Sequence, residues 1–232
     1  RSTLFPYTTL FRSRTGAFAR DAACDWSRLL GGFGEDWVMQ TIAFKPYPCG
    51  TMAHPYIDCA LRLRTDGIPV DRIVAILCET AEGFVHRLWE PLAAKQSPPN
   101  GYAAKFSIPY AVAAALVRGE VGLSAFEDEA VADPAVRALA GKVTYVIDPD
   151  HPYPRSYTGH VEVKLDDGRV IEARQPHLRG GVAEPLTDAE IEAKFRANAL
   201  HGGWDGARVD AAAVWAQMLF DMREVDLSPW RG

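Results

Sequence analysis

The spacing of hydrophobic residues changes once near the start of the chain, between residues 41–44 and the segment after Gly50. Residues 41–44 form a short apolar, partly β-branched run, which is typical of a strand. Beyond Gly50 the apolar residues recur at i, i+3, i+4, i+7 and i+8, the spacing of one helix face. These residues are Ala53, Tyr56, Ile57, Ala60 and Leu61. The pattern predicts a strand followed by an amphipathic helix, with Gly67 in a left-handed position after its end.

The remaining pattern predicts a few strands and several short helices. Residues 73–78 and 142–147 have the apolar, β-branched composition of strands. Residues 161–165 and 169–173 alternate on either side of Asp167 and Gly168, which is typical of a β-hairpin. Helices are predicted over residues 103–118, 124–130 and 134–140, from residue 187 onward, and over residues 209–222, with an irregular stretch over residues 84–89.

Two of these helices have sequence features that orient them. In the helix predicted over residues 103–118, Phe106, Tyr110 and Val117 fall on one face. Thr187 and Glu190 have the spacing of a capping box. In the helix that they open, Ile191, Phe195 and Ala199 are expected to point inward, and Lys194 and Arg196 outward. The helix predicted over residues 209–222 is expected to have an apolar stripe, formed by Val209, Ala213, Ala216 and Phe220.

Together these elements predict an α+β fold, with a mixed sheet that includes an antiparallel hairpin and helices packed on one face. A chain of 232 residues with 48% hydrophobic residues can bury one sizeable core. The formal net charge of −5 argues against a nucleic-acid surface, and no apolar run is long enough for a membrane helix. The cysteines at 24, 49, 59 and 78 form no C-x-x-C pair, which favours free thiols in a cytoplasmic protein over disulfides or zinc.

The junction before the first long helix has the residues of an anion site. Lys45 is one of only six lysines, and a helix N-terminus supplies free N–H groups near Gly50 and Thr51. His54 and Asp58 are four residues apart, so the carboxylate could orient the imidazole. Lys45 could equally be a solvated surface charge, and His54 a cap or a buried hydrogen-bonding group.

The same stretch resembles the MmgE/PrpD family, which includes 2-methylcitrate dehydratases and cis-aconitate decarboxylases. The resemblance rests on the order Lys-x-Tyr-Pro-Cys, small residues and His-x-x-x-Asp-Cys-Ala from Lys45 onward. It continues through Ala-Lys-Phe-Ser-Ile-Pro-Tyr at residues 104–110, the hairpin, and residues 180–195. It covers residues 20 to 200 approximately.

The resemblance implies the C-terminal domain of a cofactor-independent lyase that removes water from a small tricarboxylate such as 2-methylcitrate. Lys45, His54 and Tyr110 would then be catalytic, and Lys45, Gly50, Thr51 and Asp58 would bind substrate. By spacing alone, Tyr110 is a core aromatic. The family's decarboxylases resemble Lys-x-x-Pro-x-His, and this chain has Gly50 at the histidine position, which favours a dehydratase. An isomerase or epimerase, a decarboxylase, or a non-catalytic dimerisation domain are the alternatives.

The resemblance also implies an organisation and partners. Residues 1–13 match nothing downstream and resemble a translated sequencing adapter, although a natural N-terminal arm is the alternative reading. Residues 14–40 would be a remnant of an all-helical domain, residues 41–205 the α+β domain, and residues 206–232 a terminal helix and tail. The expected partners are a di- or tricarboxylate, the missing helical domain of the same chain and a second copy in a homodimer. No nucleic acid, membrane, metal or cofactor is expected.

One cluster could bind a metal. Asp148, Asp150, His151 and His160 lie around a proline-rich turn, where turn chemistry explains the same residues equally well.

Overall fold

The computed structural model describes residues 31–32, 34–35, 37–222 and 224–230. The chain divides into two units, Arg1–Ile42 and Ala43–Gly232. In the described part of the first unit, Val38–Thr41 forms a 3₁₀ turn and Trp37 is exposed. The predictions for residues 1–13, and for most of the helical remnant including Trp26, lie outside the described residues.

The second unit contains a four-stranded sheet and nine α-helices within the described residues. The strands are β1 (Ile73–Thr80), β2 (Val143–Ile147), β3 (Gly159–Leu165) and β4 (Val170–Gln175). The helices are α1 (His54–Thr65), α2 (Glu82–Phe84), α3 (Leu92–Gln96), α4 (Gly101–Ala104), α5 (Ile108–Arg118), α6 (Asp128–Val131), α7 (Pro134–Ala140), α8 (Asp188–His201) and α9 (Gly206–Gln217). No helix in the described residues is long and apolar enough to cross a membrane.

The four strands form one mixed sheet in the order β2-β1-β3-β4. β1 and β2 are parallel, and the chain between them passes through the helices α2 to α7. β3 pairs antiparallel with both β1 and β4, and the hairpin turns at Gly168, whose φ is 86°. The α+β prediction is therefore confirmed.

One face of this sheet is covered by helices. Ile76 lies opposite Val163, and Cys78 opposite Val161, and all four side chains are buried. α1 packs on β3 and β4 and contacts α5, which reaches β2. Leu77 projects from the other face and is partly exposed. The core thus lies between the sheet and a helical layer, as predicted, and the described cysteines are free and buried.

The strand predicted over residues 41–44 is wrong. These residues are in no strand; one backbone bond joins the Phe44 N–H to the Gly180 carbonyl, 2.9 Å away. Ile42 and Phe44 are 63% and 60% exposed. β-branched composition indicates a strand only where a partner strand and a buried face exist, and within the described residues no strand pairs with this segment and its large apolar side chains are exposed.

The long helix predicted over residues 103–118 is two helices, α4 and α5. The Ser107 hydroxyl caps α5 by accepting a hydrogen bond from the Tyr110 N–H at 3.0 Å. Pro109 has no N–H to donate to the carbonyl of Lys105, four residues earlier. That carbonyl instead accepts the Gly50 N–H at 2.9 Å. The break in the helix therefore holds the loop before α1 in place.

Three smaller predictions are corrected. Residues 84–89 are helical, since α2 continues into the π-helical turn Val85–Trp89. α8 buries none of its residues, and Phe195 is 37% exposed. α9 ends at Gln217 rather than residue 222, and of its predicted stripe Ala216 is exposed. The capping box of α8 is confirmed.

Candidate active site

The candidate site is the loop of residues 45–53 that leads into α1. Tyr47 and Cys49 are buried, while Pro46 and Pro48 between them are half-buried. Thr51–Ala53 forms a 3₁₀ turn that runs directly into α1 at His54. The helix start therefore lies where the change of period predicts it.

Lys45 folds back over this loop. Its ammonium Nζ donates a hydrogen bond to the Cys49 carbonyl oxygen at 3.2 Å, although the residue as a whole is exposed. A carbonyl does not neutralise the positive charge. The ammonium is therefore free to attract an anion at the start of α1.

Some backbone N–H groups of the loop are hydrogen-bonded within the protein, and others are free to donate to a ligand. The Gly50 N–H is used by the Lys105 carbonyl, and the Ala53 N–H by the Gly50 carbonyl at 2.9 Å. Within the described residues, the N–H groups of Thr51 and Met52 have no acceptor. The N–H groups available to a ligand are thus those of Thr51 and Met52, because the break between α4 and α5 occupies the Gly50 N–H.

His54 is enclosed behind this loop. It is 0% exposed, and neither ring nitrogen makes a hydrogen bond within the described residues. The Tyr47 ring meets it edge-on, with ring centroids 5.4 Å apart. Burial lowers the pKa of His54 to about 4; the Cys49 carbonyl opposes this, and the nearby positive charges, Lys45 first, add to it. The imidazole is therefore neutral at pH 7.

Asp58 does not orient His54 in the structure. Its Oδ1 accepts hydrogen bonds from the Tyr47 hydroxyl at 2.6 Å and from Arg179 Nε at 2.8 Å. Arg179 Nη1 also donates to Glu190 Oε1 at 2.8 Å. Sequence reasoning missed Arg179, which is 121 residues from Asp58 and could be found only from its place in the stretch around Gly180 that carries the family resemblance.

Comparison with known proteins assigns this region to a family. Residues 47–217 match the model of the MmgE/PrpD C-terminal domain. The chain belongs to the MmgE/PrpD family. The match begins within the candidate loop and extends through α9, so it includes every element of the sheet.

Curated relatives with two kinds of name are similar to this MmgE/PrpD chain. Mouse cis-aconitate decarboxylase is 29% identical over 168 residues, which is 70% of this chain and 34% of the relative. A cis-aconitate decarboxylase-like protein of Aspergillus oryzae is 30% identical over 70% of this chain and 35% of its own length. The 2-methylcitrate dehydratase of Cupriavidus necator is 30% identical over 59% of this chain and 30% of its own.

These similarities cover only part of each relative. The chain spans about a third of the length of the curated relatives it matches. Decarboxylases and dehydratases are both lyases, so the names agree on that class and differ on the bond that is broken.

Tyr110, on α5 of the MmgE/PrpD domain, has its hydroxyl in the core. It is fully buried and donates a hydrogen bond to the Ala125 carbonyl. Burial raises its pKa to about 12. The structure therefore gives Tyr110 a partner away from the candidate loop, in keeping with the core position indicated by its spacing.

The charges of two further lysines act on buried groups of this region, and with Lys45 we call them the lysine cluster: Lys45, Lys105 and Lys194. The Lys105 backbone is bonded to Gly50, and its charge together with that of Lys45 opposes the burial that raises the pKa of Cys49 to about 12. Lys194 lies one turn after Glu190 on α8, and its charge contributes to the low pKa of His54. Within the described residues, none of the three forms an ion pair.

The candidate metal residues of the sequence do not come together as a metal site. His151 Nδ1 accepts the Tyr153 N–H at 3.1 Å. His160 is flanked by Glu79 and Glu172, at 3.0 and 2.8 Å. In the part of the chain that the structure describes, no group of three or more such side chains could hold a metal ion.

Proposed function

We propose that this chain is the C-terminal domain of a cofactor-independent lyase and that the loop of residues 45–53 binds a small di- or tricarboxylate. One observation carries the proposal: the Lys45 ammonium, which forms no ion pair within the described residues, and the free backbone N–H groups of Thr51 and Met52 lie at the start of the same helix. A cation together with free amides at a helix N-terminus is a strong environment for a carboxylate. Three lysines suit a substrate with more than one carboxylate.

The reaction that we propose is dehydration of a 2-methylcitrate-like tricarboxylate. Removal of a proton next to a carboxylate builds negative charge on that carboxylate, and fixed positive groups stabilise the charge as it forms. Lys45 and the N–H groups of Thr51 and Met52 would contact it directly. His54 is neutral and enclosed, so its imidazole would act behind this first layer, as a hydrogen-bonding group or a proton carrier.

Decarboxylation is the second candidate, favoured by the names of the mouse and Aspergillus relatives. Position 50 argues against it. The family's decarboxylases are expected to have a histidine there, and a Cβ at Gly50 would lie 3.3 Å from the Lys105 carbonyl and 3.8 Å from Leu88. A larger side chain would therefore have to displace a packed loop. This chain has no imidazole at that place, which supports the dehydratase.

The chain by itself is proposed to bind substrate without turning it over. The family's other acid–base residues, a histidine and an aspartate, are expected on a helical domain and have no counterpart in this sequence. Proton abstraction needs a base and an acid on either side of the bond that breaks. A non-catalytic dimerisation domain, in contrast, would not need the lysine cluster.

The proposal is tested by titrating the chain with tricarballylate, a tricarboxylate that cannot lose water, in a calorimeter. We expect saturable binding that weakens with added salt, and a loss of about tenfold or more in affinity for Lys45→Ala, about 1.4 kcal/mol. Lys164→Ala is the matched control, because Lys164 is an exposed lysine on β3 outside the lysine cluster. Equal affinities for the two variants would contradict the proposal.

A further inference from the structure

Arg179 connects three segments that are far apart in the sequence. Its Nε donates to Asp58 Oδ1 on α1, its Nη2 to the Tyr47 hydroxyl in the loop, and its Nη1 to Glu190 on α8, each at 2.8 Å. The planar guanidinium holds its donors in fixed directions on three separate nitrogen atoms, which a compact lysine ammonium cannot do. The side chain is 25% exposed, so these bonds are partly shielded from water.

Arg179, Asp58 and Tyr47 form a closed ring of hydrogen bonds. The Tyr47 hydroxyl accepts from Arg179 and donates to Asp58 Oδ1 at 2.6 Å. Asp58 is 8% exposed, and its second oxygen, Oδ2, is buried without a partner. The carboxylate is therefore compensated entirely through Oδ1. A buried carboxylate that lost the guanidinium would be left uncompensated, which is strongly unfavourable.

The ring of hydrogen bonds fixes the position of the Tyr47 aromatic ring. The Arg179 guanidinium lies 5.5 Å from the centroid of that ring, and His54 meets the same ring nearly at a right angle, at 85°. Tyr47 is thus in contact with Arg179 and with His54. Since His54 is 0% exposed, Tyr47 is part of the wall that keeps water from its imidazole.

We infer that Arg179 is a positioning residue of the site: by holding Tyr47 and Asp58 it keeps the Tyr47 ring against His54 and keeps His54 enclosed. The inference rests on the proposed function only for its effect on carboxylate binding. Arg179 differs from the lysine cluster, because its donors are already occupied by the protein.

Loss of the hydrogen bonds from Arg179 to Tyr47 and Asp58 would change the environment of His54. Water would reach the imidazole, and its pKa would rise from about 4 towards the ordinary value of 6.5. The charged groups that act on His54 are Lys45 from the loop, Arg179 itself and Lys194 from α8. The lysines remain in any Arg179 variant, so a change in the titration of His54 reports on Arg179.

The test is an NMR titration of the His54 imidazole in the full chain. Arg179→Lys retains the positive charge and loses the three-way fork. We expect the pKa of His54 in this variant to rise by about one unit or more. The matched control is Arg72→Lys, because Arg72 also bonds two carboxylates, Asp166 and Asp167, on the surface. Its His54 titration should not change.

Two further variants separate positioning from charge. Arg179→Met removes both the fork and the charge. If the pKa of His54 rises in Arg179→Met and not in Arg179→Lys, the inference is overturned and only a charge effect is left.

Tyr47→Phe keeps the Asp58–Arg179 ion pair and removes only the hydroxyl bonds. We expect the pKa of His54 to rise in Tyr47→Phe as well, and an unchanged titration in this folded variant would equally overturn the inference.

The same proteins distinguish this inference from the proposed function. We expect Arg179→Lys to weaken tricarballylate binding, since the loop that carries Lys45 is no longer held. If the unmodified chain does not bind tricarballylate at all, the proposed function fails, while the His54 titration still decides the role of Arg179. If Arg179→Lys lowers the melting temperature and leaves both the titration and the binding unchanged, Arg179 is purely structural.

Discussion

At the scale of single residues, the site depends on side chains whose neighbours come from distant parts of the chain. Lys45 and His54 could be singled out from the sequence because they flank a predicted helix start. The partner of Asp58 could not be identified from the sequence, because Arg179 lies 121 residues further along the chain. Asp58 therefore has a different role from the predicted one: it binds a cation and a tyrosine instead of orienting His54.

His54 should make the stability of the fold depend on pH. Its pKa is about 4 in the folded chain against 6.5 when exposed, so between these values the unfolded chain binds a proton that the folded chain does not. Above about pH 6.5 the two states are equally deprotonated and the effect is absent. As the pH falls from 6.5 to 4, we expect the free energy of unfolding to drop by about 3 kcal/mol.

Urea denaturation at several pH values checks this prediction. His54→Leu removes the titrating group, so its free energy of unfolding should change less between pH 7 and pH 4. His86→Gln is the control, because His86 is exposed, and it should keep the full pH dependence. The same pH slope in all three proteins would show that His54 is not the cause.

Gly180 should be far more sensitive to substitution than Gly203, although both have a φ of 89°. A Cβ at Gly180 would lie 2.0 Å from the Phe44 carbonyl oxygen, whereas one at Gly203 meets nothing within 4 Å. We expect Gly203→Ala to cost about 1–2 kcal/mol for the backbone conformation alone. Gly180→Ala should cost about 2 kcal/mol more, from the overlap with Phe44.

Chemical denaturation of the two alanine variants measures the difference in their free energies of unfolding, provided that their m-values are equal. The Gly180 variant should also bind tricarballylate more weakly, because Phe44 directly precedes Lys45 and is tied to Gly180 by a backbone hydrogen bond. Similar losses of stability in both variants would mean that the contact between Gly180 and Phe44 is loose in solution.

At the scale of elements, the four strands and most of the helix starts follow local patterns. α7 begins at its predicted proline and α8 at its predicted capping box, while α1 ends two residues before Gly67. The predicted strand at residues 41–44 fails, since no strand among the described residues pairs with it. The predicted helix over residues 103–118 is interrupted because Pro109 cannot complete the bond to Lys105, and this carbonyl supports the candidate loop.

Removal of the Ser107 cap of α5 should therefore destabilise the fold more than removal of a serine hydroxyl that caps no helix. Ser107 is fully buried, accepts the Tyr110 N–H and donates to the Lys95 carbonyl at 2.5 Å. We expect Ser107→Ala to lower the free energy of unfolding by about 1–2 kcal/mol. Ser124→Ala, in a half-buried turn, should change it by less than about 0.5 kcal/mol. Thermal and urea unfolding of both variants measure this, and equal effects would contradict the role of the cap.

At the scale of the whole molecule, the chain is acidic, with a net charge of −5, while the charges of three lysines act on Cys49 or His54 of the candidate site. Half of its six lysines belong to the lysine cluster. The acidic remainder limits non-specific attraction of anions elsewhere on the surface. We propose that this contrast directs a small polycarboxylate to the candidate loop.

Residues 14–232 alone should not dehydrate 2-methylcitrate. The chain spans about a third of the length of its curated relatives, and the proposed acid–base residues on a helical domain are not among its residues. The measurement is the appearance of the unsaturated product by ultraviolet absorbance. The positive control is the full-length Cupriavidus relative. Turnover by the chain alone would contradict the proposal that the acid–base residues lie on another domain.

Local patterns in the sequence determined the class of the fold and singled out the loop that is the candidate site. Period-2 and period-3.6 spacing depend only on neighbours within a few residues, so the hairpin, α1 and the capping box were predictable, and so was the position of Lys45 at the start of α1. Only the tertiary structure decided which groups surround the loop. The Arg179 fork, the enclosed neutral His54 and the lysine cluster arise from packing between distant segments, which no local spacing encodes.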